Sequence, residues 1–382
     1  MSDVTADVIV VGYGAAGVSA ALEARAEGAD VLAIDRFNGG GATQVSGGII
    51  YAGGGTWVQR QAGIDDTADA MYTYLHAEVG DSVRPETLRR FVDGSPAMID
   101  WLTAHGVPFE ASVCPYKTSY PNNKYYLYYS GSENSGHFRS LTPPVQRGHR
   151  AKGPGASGKK IYQPLAASAS QAGVRTMFHT RAESLLTDST GRVVGVRTST
   201  LAHAPAWVHR RYATYAALAV KPGIYYPPLR AVMERRLTAL ERRYAQTVDV
   251  HARKGVILCA GGYIANRQLI DEHAPGYRDG LQLGTTADDG SGMQLAIDVG
   301  GAVERLDNVS AWRFITPPSA MLGGLVVDER GQRFIDETRY GASIGNAMVQ
   351  DHDARGWILV DKPLLEQARK QLPQQAIWFQ RL

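Results

Sequence analysis

Three glycines carry the first chemical signal in this sequence. Gly12, Gly14 and Gly17 form G-x-G-x-x-G within "DVIVVGYGAAGVSAALEARAEGADVLAID", and Asp35 closes the same stretch. Glycine at these spacings lets a strand turn sharply into a helix, and lets backbone N–H groups approach a pyrophosphate at the helix N-terminus. An acid at the end of the following strand is placed to accept from ribose hydroxyls, and its charge disfavours a 2′-phosphate. The triplet alone also suits an ordinary tight turn. Together with strand, helix and terminal acid in the right order, it points to a dinucleotide. A second glycine cluster follows in "GGGATQVSGGIIYAGGGT", residues 39–56. NAD rarely needs such a segment, whereas FAD does, because its ribityl chain and ring lie against backbone where side chains would clash. The competing reading is a surface loop, against which the interleaved Thr43, Ser46 and Ile49 argue.

The elements that must position these residues follow from hydrophobic periodicity. Residues 7–12 read as a buried parallel strand, 15–28 as a helix and 31–35 as a second strand, a βαβ unit. Helical patterns follow at 66–79 and 85–105. A tyrosine-rich stretch and then "RGHRAKGPGASGKK" at 147–160 come next, the latter read as an exposed mobile loop. A helix near 162–172, a hairpin turning at Asp188–Gly191, the strand "GVILCAGG" at 255–262 and a helix from Asn266 complete the pattern.

An inserted block at about 203–250 has its own character. Leu229, Met233, Leu237, Leu240 and Tyr244 share one helical face, with Arg235, Arg236, Arg242 and Arg243 elsewhere. The block holds eight Lys/Arg against three Asp/Glu, net +5, which leaves −2 of the total +3 to the rest of the chain. The favoured reading is a helix packed on its own domain with a solvated basic face. Contact with a membrane surface or a partner is the alternative.

At 44% hydrophobic and 20% charged residues the 382-residue chain is globular. Cys114 and Cys259 form no CxxC pair, so no zinc ribbon or disulfide framework is indicated, and a reducing cytoplasm is expected. No apolar run reaches the ~18 residues of a membrane span.

Residues 7–56, the 178–199 hairpin, "GVILCAGG" and "GGLVVDERGQRFIDETRYG" resemble the fumarate reductase/succinate dehydrogenase flavoprotein superfamily. Within it, "GGATQVSGGIIYAGGGT", "YYSGSEN" and "ETRYGASIG" look most like the 3-ketosteroid dehydrogenases, of Δ4-(5α) or Δ1 type, the former especially. The resemblance implies an α/β fold, with a glutathione-reductase-like, Rossmann-type FAD domain over residues 1–307 and a partial α+β substrate or cap domain over 308–382. It implies that Gly12, Gly14, Ala15, Ala16 and Gly17 line the pyrophosphate and that Asp35 and Arg36 flank the adenosine ribose. Gly40, Gly41, Ala42, Thr43, Ser46, Gly47 and Gly48 would run beside the flavin, and Ala182 would meet the adenine. Ala260, Gly261 and Gly262 would close over the dinucleotide, and Asp289 would meet it. No histidine occurs in "GGGATQVSGG", so the FAD is expected to be noncovalent.

For such an enzyme, oxidation of a ketone-activated C–C bond needs a proton acceptor and flavin N5 as hydride acceptor. The resemblance places Tyr340 as the active-site tyrosine, tied to proton removal or to support of the residue that performs it. The neighbouring Arg339 matches the proton-donating arginine of fumarate reductases and keeps that chemistry as the alternative. The substrate implied is small, hydrophobic and steroid-like, and Tyr116, Tyr120, Tyr125, Tyr126, Tyr128 and Tyr129 are candidates to line its pocket. The family's C-terminal glycine pair, "GLYAAGE"-like strand and last helix have no counterpart before the sequence closes at "QLPQQAIWFQRL". Weak FAD affinity, low turnover and self-association are therefore expected of this chain.

Overall fold

The computed structural model describes residues 4–377 and Gln380, so Trp378, Phe379, Arg381 and Leu382 of the closing stretch lie outside the described residues. The chain forms two compact units, residues 1–46 with 161–306 and residues 47–160 with 307–382. Residues 47–160, placed by the sequence reading in an FAD domain of 1–307, group here with 307–382. Sequence periodicity reports which face of an element is buried and is silent on which distant segment buries it.

The first unit is built on a six-stranded sheet. Its spatial order is Arg175–Met177, Val31–Ile34, Val4–Val11, Gln246–Leu258, Val193–Thr200 and Thr180–Thr187. Val4–Val11 pairs in parallel with both neighbours, and Ala15–Ala26 is the helix that follows it. Val31–Ile34 is buried along its whole length, and Ile9 and Val11 of the neighbouring strand join Leu32 and Ile34 in one core, as in parallel sheets generally. The strand expected at 255–262 begins at Gln246 and ends at Leu258. Its early half pairs antiparallel with Val193–Thr200 over Gln246–His251, and burial alternates over Val250–Arg253.

The inserted block folds as two helices, Ala206–Val220 and Pro227–Tyr244. Tyr212 and Leu237 form a core with Leu201, against which Phe37, Leu240 and Tyr244 pack. The apolar face is thus consumed within its own unit, while Arg235, Arg236, Arg242 and Arg243 are exposed. Insertion of this face into lipid would require exposing Met233 and Leu237, now 4% and 1% accessible.

In the second unit the helices Ala68–Val79 and Pro85–Ala104 bury Met71, Leu88 and Val92 together. Beside them stands a three-stranded sheet ordered Ile49–Tyr51, Gly148–Arg150, Leu127–Tyr128. The reading of 147–160 as an exposed mobile loop is corrected here: its first residues form the central strand, and Arg147, His149 and Arg150 are fully buried. Each arginine is enclosed by acceptors, which is what makes burial of a charge tolerable. Arg147 donates through Nε and Nη2 to Asp66 at 2.9 and 2.6 Å. Arg150 donates to the carbonyls of Asn122, Gly153 and Gly155 and stacks on the rings of Tyr120 and Tyr126 at 4.6 and 5.0 Å. Three of the six candidate pocket tyrosines are thereby accounted for structurally, since Tyr128 is also buried, at 1%.

Candidate functional site

A cavity of about 210 Å³ in the first unit gathers most of the expected cofactor residues. Gly12, Gly14, Ala15 and Ala16 line it at the end of the first strand, and Asp35 and Arg36 at the end of the second. Gly41, Ala42, Thr43, Ala182, Ala260, Gly261 and Asp289 complete the expected set within it. Sequence reasoning missed Tyr13, Arg181, Cys259, Thr285, Asp288 and Ser291, which also line the cavity. Tyr13, Arg181 and Asp288 were legible as neighbours of chosen residues, whereas Thr285 lies in a loop without a motif of its own.

The strand-to-helix turn is tight enough to demand glycine. Gly12 has φ +92°, and a Cβ there would stand 2.4 Å from the Cys259 carbonyl oxygen. At Gly17 a Cβ would stand 1.9 Å from the Gly12 oxygen, so this glycine serves helix–strand packing and does not line the cavity. Gly14 meets only ordinary contacts, the nearest 3.8 Å from the Gly40 oxygen, and leaves room above the turn. The helix Ala15–Ala26 has no side-chain cap and no acid in its first turn, so its N-terminal field stays available for an anion. Thr43 Oγ1 accepts from Ala15 N at 3.3 Å and ties the second glycine segment to this turn.

Asp35 does more than the sequence suggests. Its carboxylate accepts from the amides of Tyr13 (2.9 Å), Phe37 (2.8 Å) and Gly39 (3.1 Å), fixing the loops around the cavity. A carboxylate offers about four lone-pair sites, so an acceptor remains for a ribose hydroxyl. Arg36 is held by the insertion: it donates to both oxygens of Glu241 at 2.9 and 3.1 Å and lies 3.5 Å from Asp289. Tyr212 of the insertion donates to the same Glu241. The inserted helices therefore brace the end of the cavity where the ribose acid sits.

Gly40, Ser46, Gly47, Gly48 and Gly262 do not line this cavity. Gly47 and Gly48 belong to the second unit, where a Cβ would strike the Tyr120 ring at 2.8 Å and the Ser157 carbonyl carbon at 2.5 Å. Close neighbours within that unit, side chains at Gly47 and backbone at Gly48, already account for glycine at both.

Tyr340 and Arg339 lie in the second unit, immediately before the helix Gly341–Asp351. The Tyr340 ring stands edge-on to Trp312 at 5.0 Å, and Trp312 in turn meets Phe314 at 5.5 Å. Burial, with Glu78 and Glu133 nearby, pushes the Tyr340 phenol well above its ordinary range. Arg339 donates through Nε to Ser132 Oγ at 3.2 Å, lies over the Phe138 ring at 4.7 Å and faces Glu78 at 3.5 Å.

An uncapped helix N-terminus, a glycine turn and an acid at the end of the next strand converging on one cavity define a dinucleotide-binding protein, and the residues present fit an ADP-containing cofactor. The FAD binding domain family model matches residues 7–369. The 3-oxo-5-alpha-steroid 4-dehydrogenase of Comamonas testosteroni is 38% identical over 378 residues, covering 97% of this chain and 70% of that protein. A solved 3-ketosteroid Δ4-(5α)-dehydrogenase of Rhodococcus jostii, in complex with 4-androstene-3,17-dione, is 31% identical with a TM-score of 0.81, covering 96% of this chain and 68% of that one. A probable fumarate reductase of Shewanella frigidimarina is 23% identical, over 96% of this chain and 52% of that protein. The chain belongs to the FAD-binding flavoprotein family that contains the 3-ketosteroid dehydrogenases, with fumarate reductases as more distant relatives. FAD is its cofactor, and its relatives are oxidoreductases acting on CH–CH groups.

Gly12 provides a direct test of the cavity. Gly12→Ala forces a side chain into positive φ against a carbonyl, costing about 1–3 kcal/mol from the backbone alone. Purified protein should be colourless or lose its flavin absorbance on gel filtration. Retention of stoichiometric FAD by the variant would show that this turn does not hold the pyrophosphate.

Proposed function

We propose that the protein dehydrogenates a 3-ketosteroid-like substrate, with the unit of residues 47–160 and 307–382 as its substrate unit. The observation that carries this reading is the surrounding of Tyr340: a phenol edge-on to Trp312, which in turn meets Phe314, the two being 46% and 51% exposed. Flat exposed rings beside a single hydroxyl suit a rigid apolar skeleton bearing one ketone. The glycines of "GASIG" support that arrangement, because a Cβ at Gly345 would stand 2.1 Å from the Ala311 oxygen and one at Gly341 would stand 3.1 Å from the Arg313 oxygen. Only glycine lets the Ala311–Phe314 segment lie this close to the helix.

FAD, when bound, supplies the hydride acceptor. Tyr340 supplies a hydroxyl that stays protonated at neutral pH, because burial and two nearby carboxyl groups disfavour the phenolate. It therefore serves as a hydrogen-bond donor to the substrate or as a relay that passes its proton on, and not as a ready-made tyrosinate base. Arg339, engaged by Ser132, Phe138 and Glu78, is read as a positioning group, which ranks proton donation to fumarate second. Similarity to two 4-dehydrogenases favours the C4–C5 bond.

An assay of the FAD-loaded protein with a saturated 3-ketosteroid and an artificial electron acceptor should give steroid-dependent dye reduction. Turnover of fumarate with a reduced dye, and none of the ketosteroid, would reverse the assignment.

A further inference from the structure

Glu78 stands beside Tyr340 without a role in the reaction as described. It sits in the last turn of the helix Ala68–Val79, with its side chain 9% accessible. Its Oε1 accepts from Ser132 Oγ at 3.0 Å and from Ser343 Oγ. Its Oε2 is buried without a hydrogen-bond donor and faces Arg339 Nη2 at 3.5 Å. Ser132, itself fully buried, joins the group: its Oγ also accepts from Arg339 Nε at 3.2 Å and from the Tyr340 amide at 2.8 Å.

We propose that Glu78, acting through Ser132, is the positioning residue that holds Arg339 and Tyr340 in their working arrangement. One carboxyl group ties together two distant parts of the sequence: the loop of Ser132, which holds the Tyr340 amide, and the first turn of the helix that Tyr340 precedes, through Ser343. A buried carboxylate oxygen left without a donor is destabilising. Its retention next to the phenol suits an electrostatic task better than a packing one.

The charges around Tyr340 show what that task is. Glu133 also faces it, but Lys117 lies 4.0 Å from Glu133, and burial pushes the Glu133 carboxyl up and the Lys117 amine down. That pair is neutral overall in either protonation state. Tyr128 adds a neutral phenol. Glu78 is the other carboxylate that acts on the phenol, and Arg339 lies on its far oxygen. Replacing Glu78 by glutamine removes a charge that disfavours the phenolate. Losing it makes Tyr340 ionise at lower pH.

This inference rests on the ketosteroid reading only for its ligand-based readout. In FAD-loaded protein, binding of 4-androstene-3,17-dione should weaken as Tyr340 ionises. Glu78→Gln should move that loss to lower pH by about one unit or more, and Glu78→Asp should restore most of the shift. The ligand-free readout is the ultraviolet tyrosinate titration attributable to Tyr340, taken as Glu78→Gln minus Glu78→Gln/Tyr340→Phe and compared with wild type minus Tyr340→Phe. A wild-type protein that binds no steroid overturns the ketosteroid reading and leaves this second readout intact. An unchanged Tyr340 titration in Glu78→Gln overturns the role of Glu78. Should Glu78→Gln fail to fold, Ser132→Ala tests the same bridge, with a raised KM for the ketone expected and wild-type kinetics overturning the proposal.

Discussion

Tyr340→Phe should lower kcat/KM for a saturated 3-ketosteroid by about 10²–10⁴-fold, the usual contribution of a positioned proton-transfer group. Flavin absorbance should be retained, because Tyr340 is not among the residues lining the dinucleotide cavity. Only one oxygen is removed, and the Tyr340 amide can still donate to Ser132 while the ring keeps its contact with Trp312. The loss should appear mainly in kcat, since a hydroxyl that handles the proton is needed more in the transition state than in binding. Stopped-flow reduction of the flavin by the ketosteroid measures it. A variant reduced at the wild-type rate would remove Tyr340 from the chemistry and return attention to Arg339.

Arg147→Met should destabilise the second unit by about 3–5 kcal/mol, the cost of stranding one member of a buried ion pair. Arg147 and Asp66 are 1% and 0% accessible and joined by two hydrogen bonds. Asp66 Oδ2 also accepts from the Gly54 amide and from Gln59 Nε2, both at 3.0 Å, so the stranded carboxylate would keep two donors and lose its only opposite charge in this hydrogen-bonded group. Urea denaturation should show the lower midpoint. Asp66→Asn combined with Arg147→Met should recover part of the loss, because it removes the unpaired charge while preserving an acceptor. If the single variant were as stable as wild type, the pair would not hold the strand Gly148–Arg150 in place.

Other aspects of this protein depended on the sequence alone to different degrees. The first strand, turn and helix were legible because their determinants are local. A buried apolar run, glycines that permit a tight turn and an acid on the next strand all act within the 29 residues of "DVIVVGYGAAGVSAALEARAEGADVLAID". The hairpin at Asp188–Gly191 was legible for the same reason, since its turn is stabilised by Asp188 accepting from Thr190 and Arg192.

Tertiary structure decided the matters in which a residue's meaning depends on a distant partner. "RGHR" looked like exposed loop because charge and glycine usually mean solvent, and only Asp66 and a ring of carbonyls make the same residues the centre of a sheet. The basic helix of the insertion was read as packed on its own domain with a membrane or partner contact as the alternative, and Tyr212, Leu237 and Phe37 are the residues that consume its apolar face. Asp35 was foreseen as a ribose acid, but its three backbone donors come from two loops whose meeting no local pattern encodes. Glu78 carried no signal, being one acid in a helix, and acquired its place only when folding brought it to Ser132, Ser343 and Arg339, from 54 to 265 positions away in sequence. Short-range sterics and hydrogen-bonding preferences are written residue by residue, whereas burial of a charge is decided by whichever partner the whole chain delivers to it.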